Sequence, residues 1–100
     1  MAIGPVVVAS GTADVAAVTG AYNLRLVGFS IAETASSAAA AEVVLRHGTS
    51  ASDDPLVAPT NLAADGFGTF WYPPGIPCPN GIYVDRVSGT TTLVLYVDRV

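Results

Sequence analysis

The sequence predicts an all-β fold, a single-domain β-sandwich or jelly-roll-like barrel of about eight short antiparallel strands. Three observations carry that prediction. Turn-forming clusters recur along the chain at Ser10-Gly11, Thr19-Gly20, 48–54, 64–66, 73–81 and Ser88-Gly89. The segments between them are short and rich in β-branched and aromatic residues, as strands are. The turn clusters fall about ten residues apart, the spacing of short strands in a sandwich or small barrel.

The strands read, in order, as 5–9, 13–18, 23–32, 41–47, 56–62, 68–72, 82–87 and 91–98. Residues 1–22 open the chain as edge strands or as an extended arm, and the whole of 1–100 forms one domain. In 23–32, Leu24 and Leu26 fall on one face and Val27, Phe29 and Ile31 on the other. Either both faces are covered or Gly28 marks a bulge, and both readings make this strand central. The segment TASSAAAA at 34–41 has the composition of a small helix, but the β-branched run after it favours a connection into the next strand. Ser88-Gly89 suits a two-residue hairpin that would set Val84 opposite Leu93 and Ile82 opposite Leu95. The pentapeptide YVDRV occurs at 83–87 and at 96–100. Chance similarity between two β-rich segments explains it. The stretch WYPPGIPCPNGIYVD, residues 71–85, carries four of the seven prolines and reads as a corner.

Composition narrows the function. Apolar residues make up 51% of the chain and charged ones 12%, about half the usual share of charge. A domain this small buries roughly two-thirds of its unfolded surface, so apolar material is left over for the outside. That surplus calls for an oligomer or a lattice partner. Every apolar run is interrupted well before the ~18 residues of a membrane helix. The opening MAIGPVVVASGTADVAAVTGA lacks a basic start and reads as mature structure. With a net charge of −4, four Arg and no Lys, the chain offers no cationic cluster for nucleic acid.

Catalytic and metal signatures are weak throughout. Cys78 is the single cysteine and His47 the single histidine, and no spacing links them as nucleophile and base. A buried structural thiol is the better reading of Cys78. His47 with Asp53 and Asp54 matches no zinc or EF-hand pattern and reads as a polar loop. The sequence therefore predicts no enzyme and no cofactor. The residues set aside as interface candidates are the cluster Phe70, Trp71 and Tyr72, together with Tyr83, Val94 and Tyr96. A second use of the aromatic cluster is to stack on a carbohydrate or receptor, as a tail or surface-appendage binding module would.

The blocks LRLVGFSIAETA (24–35), VVLRHGTSAS (43–52), NLAADGFGTFWYPPGIPCPNGIYVDRVSGT (61–90) and LVLYV (93–97) resemble small all-β virion proteins of tailed bacteriophages. Within that group the chain looks most like head decoration (cement) proteins. The resemblance implies a structural subunit on the capsid surface that self-associates, as a trimer, and contacts the major capsid protein or other virion proteins. It carries no active-site residues over. Residues 1–23 lie outside it, and the resemblance leaves room for an arm lying on the capsid.

Overall fold

In a computed structural model, which describes residues 3–99, the chain forms eight strands. They are β1 (Ile3–Gly11), β2 (Val15–Thr19), β3 (Leu24–Glu33), β4 (Ala41–His47), β5 (Thr60–Leu62), β6 (Phe67–Pro77), β7 (Gly81–Ser88) and β8 (Thr91–Arg99). One sheet, here sheet A, has the order β1-β8-β3-β6, and sheet B has β2-β7-β4-β5. All pairings are antiparallel, as the sequence predicts.

β1 pairs with β8, β2 with β7, β3 with β6 and β4 with β5. The chain is thus one long hairpin wound over itself, laced shut by β3–β8 and β4–β7. That is the strand order of a jelly roll.

Alternation builds the core between the sheets. Leu93, Leu95 and Val97 of β8 point inward from sheet A, while Val43 and Leu45 of β4 and Ile82 and Val84 of β7 point inward from sheet B. Each such side chain contributes about 1.5–3 kcal/mol by leaving water. β3 holds its place through a bulge at Val27: Leu26 pairs with Val97 and Gly28 with Tyr96, so two steps on β3 meet one on β8. The bulge turns Phe29 and Ile31 to the same side as Leu24 and Leu26, and all four are buried.

Three expectations are corrected. β7 and β8 form no hairpin; they lie in different sheets, and Ser88 to Thr91 carries the chain across the sandwich. Ile82 and Val84 therefore share the core with Leu93 and Leu95 from the opposite sheet rather than pair with them. The two YVDRV copies are separated in the same way. The strand expected at 56–62 is confined to Thr60–Leu62, because the chain before it meets β4 only through the isolated bridge of Arg46 with Pro55 and turns Leu56 and Val57 onto the core. The corner expected at 71–85 is split in two: β6 extends to Pro77 but leaves its ladder with β3 between Trp71 and Ile76, where Gly75 takes φ +119°, and the chain then turns at 78–80. Proline is tolerated there because β6 is an edge strand, hydrogen-bonded on one side.

Two buried charged groups tie the ends of the sandwich. The Arg86 guanidinium, 7% exposed, donates from Nη1 to Ala13 O (2.9 Å) and from Nη2 to Ala9 O (2.6 Å) and Thr91 O (2.9 Å). It thereby pins the end of β1, the turn before β2 and the start of β8. At the other knot the Glu33 carboxylate accepts from Ala35 N (2.6 Å) and Asp65 N (2.9 Å). That holds the 34–40 connection, which contains no helix, against the turn before β6.

Candidate functional site

The six interface candidates do not form one patch. Trp71, Val94 and Tyr96 share the outer face of sheet A, by strand parity and pairing. Phe70 and Tyr72 turn toward the core instead and pack on Phe29, with ring centroids 5.1 and 6.3 Å away. Tyr83 stands on sheet B, where its hydroxyl donates to Asp14 Oδ2 at 3.1 Å.

The outer face of sheet A is organised in rows set by register. One row runs Pro5–Tyr96–Gly28–Trp71, the next Val7–Val94–Ser30–Thr69, and the third Thr92–Ala32–Phe67. None of these three rows contains a charged residue, and the row beyond them sets Asp98 beside Arg25 at the Pro77 end of the face. Trp71 is 57% exposed, Val7 68% and Phe67 84%. The indole of Trp71 stacks on Tyr96, ring centroids 5.0 Å apart, and lies across Gly28 to reach it. Only a residue without a Cβ leaves that path open: a Cβ at Gly28 would stand 2.5 Å from Trp71 Cε3. Beside the stack, Phe67 and Val94 flank a shallow groove of about 300 Å³ that also exposes Ser30, Thr69 and Thr92.

Sheet B presents a different surface. Arg46 Nε meets Asp85 Oδ2 at 2.9 Å, and Arg46 Nη1 donates to Asp53 O at 2.9 Å, which ties the loop after β4 back to that strand. Asp53 Oδ2 in turn accepts from Thr49 N (2.8 Å) and Ser50 N (3.0 Å). Those backbone donors hold the Asp53 carboxyl below the usual carboxylate range. The outer side of sheet B thus carries an ion pair beside the exposed Val87, whereas three successive rows of sheet A carry no charge.

Neither suspected chemical centre assembles. Cys78 is wholly buried in the core cluster, and burial pushes its thiol up to about 11. A thiol so placed is protonated near neutrality and shielded from solvent. His47 Nε2 accepts from Asn80 N at 3.1 Å, so it fastens the 78–80 corner to the end of β4. Among the described residues, no three His, Cys, Asp or Glu side chains gather as metal donors.

Sequence reasoning missed Val7 and Phe67, which complete the bare face. The signal existed in principle, because each sits one strand away from Val94 or Ala32 once register is known. Register, however, is a tertiary fact. Compared with protein-family models, curated proteins and solved structures, the chain matches none.

Proposed function

We propose that this chain is a structural virion subunit, a head decoration (cement) protein of a tailed bacteriophage that self-associates and binds the capsid surface through the outer face of sheet A. The observation that carries the reading is the run of three uncharged rows on the outer face of sheet A, with Trp71, Val7 and Phe67 left in water there. Soluble monomers rarely leave such a face bare, and protein contact is its usual fate. The phage-like blocks supply the kind of partner, the major capsid protein. Jelly rolls serve in capsids and also in lectins, so fold by itself favours neither. Individually weak apolar contacts suffice on a capsid, because lattice symmetry repeats them and each subunit docks as part of an oligomer, a trimer on the resemblance.

One observation favours a second reading, a carbohydrate-binding module: the half-exposed Trp71 lies next to three groove hydroxyls, Ser30, Thr69 and Thr92. The two readings separate in one experiment. Wild-type protein, Trp71→Ala and Tyr96→Ala are sedimented with undecorated capsids and screened in parallel on a glycan array. Cement function predicts that wild type pellets with capsids and that both variants lose at least tenfold in affinity. Glycan binding that disappears in Trp71→Ala, with no capsid binding by wild type, overturns it in favour of the second.

A further inference from the structure

The sandwich has two open sides, and they differ in a complementary way. On one, β1 and β2 form the edges of sheets A and B. Between them lies an apolar crevice of about 290 Å³, lined by Val6, Val8, Ala9, Val15 and Ala17 among others. On the other side, sheet A ends in β6, which projects Phe67 and Trp71. Residues 3–11, 15–19 and 67–77 contain no Asp, Glu, Lys or Arg. Long uncharged edge strands are templates for pairing, and natural proteins blunt them. β6 is blunted by proline only in its second half, at 73, 74 and 77, which leaves 67–72 able to pair. β1 has a single proline, Pro5, in nine residues.

We propose that copies of this chain join head to tail, residues 67–72 of β6 in one copy pairing with β1 of the next, and that repetition of this contact closes a ring. Topology makes the pairing possible without reversing either copy. Sheet A has four strands, each antiparallel to its neighbour, so its two edge strands run in opposite directions. Copies related by rotation about an axis along the strands then set β6 antiparallel to the neighbouring β1, the more stable ladder. The occupant is a second copy because this one contact satisfies both open edges at once and lays Phe67 and Trp71 beside the neighbour's Val7 on one continuous outer face. A two-fold β1–β1 contact would leave Phe67 in water. Charge agrees, since each edge needs an uncharged partner strand and the chain supplies one.

The inference rests on the assembly reading only in treating the chain as a subunit, and the two fail separately. Val7→Glu damages the β1 edge, and Phe67→Lys damages the β6 edge. Both positions are exposed, so circular dichroism and melting temperature should match wild type. Native mass is measured for wild type, each variant and their equimolar mixture. Head-to-tail pairing predicts a wild-type ring of several copies, monomers for each variant alone, and association restored on mixing, since each variant keeps the edge the other lacks. A monomeric wild type overturns the proposal. So does a Phe67→Lys variant that keeps the wild-type mass, which is the mark of a two-fold β1 contact, or a mixture that stays monomeric. Capsid binding by a monomeric wild type would spare the capsid contact of sheet A while ending this one. A ring that ignores capsids would do the reverse.

Discussion

Replacing Gly28 by alanine tests whether the Trp71–Tyr96 stack is held by backbone space. A Cβ at this position would stand 2.5 Å from Phe70 O, 2.5 Å from Trp71 Cε3 and 3.1 Å from Trp71 Cδ2. Ordinary contacts are about 3.5–4.0 Å, so the indole and the β6 backbone must both retreat by roughly 1 Å. Overpacking of this kind costs about 1–3 kcal/mol. For a chain of this length each kcal/mol moves the melting temperature by about 4–8 °C, so a fall of about 5–20 °C is expected. Thermal melts followed by far-UV circular dichroism supply that number. Emission from Trp71, the one tryptophan of the chain, reports in the same sample whether the ring has left Tyr96. Adding Trp71→Ala relieves only the ring clash, because Phe70 O belongs to the backbone, so rescue should be partial. Gly4→Ala in β1 is the control, since nothing lies within 4 Å of the added atom. A Gly28→Ala protein that melts within 2 °C of wild type with unchanged emission would refute the reasoning.

Other expectations follow from the buried charged groups. Arg86→Met leaves the carbonyls of Ala9, Ala13 and Thr91 without their donors. At about 1–3 kcal/mol for each buried group stranded, the loss in urea unfolding should exceed ~2 kcal/mol, and Arg86→Lys, lacking the planar fork, should recover little of it. Backbone N–H donors lower the pKa of Glu33 and Asp53 below their ordinary values of 4.5 and 3.8. Their stabilisation is therefore complete above those values and is lost as pH falls through the depressed folded-state pKa. Denaturation midpoints should hold steady down to about pH 5 and then decline, and the gap between wild type and Glu33→Gln should narrow over that decline. A gap independent of pH would show that the Glu33 charge is irrelevant to the knot.

Strand existence was legible because turn chemistry and β-branched runs are local. Every expected strand appears, several with bounds within a residue or two of those observed. Pairing was not legible. The inward alternation of Ile82 and Val84 with Leu93 and Leu95 is satisfied equally by a hairpin within one sheet and by facing strands of two sheets. Ser88-Gly89 serves either course, and Gly89, at φ +81°, turns the chain between sheets here. Prolines in WYPPGIP read as a corner because a sequence does not declare which strand will be an edge. Of the site, Trp71, Val94 and Tyr96 were found by aromatic character and alternation. Their union with Val7 and Phe67 waited on register. Arg86 shares the inward parity of Ile82 and Val84, yet its carbonyl partners lie on elements far apart in the chain and leave no local trace.

Pairing of β1 with β8 has a consequence for biosynthesis. Gly11 and Thr91 are register partners, so about 80 residues must leave the ribosome after β1 before its partner exists. At ~5–20 residues per second, β1 waits about 4–16 s as an uncharged, valine-rich segment with nothing to bond. Sheet A cannot close cotranslationally from its first strand. A nascent chain stopped before residue 91 lacks the strand that holds β1, so that edge takes shape only once β8 has been made.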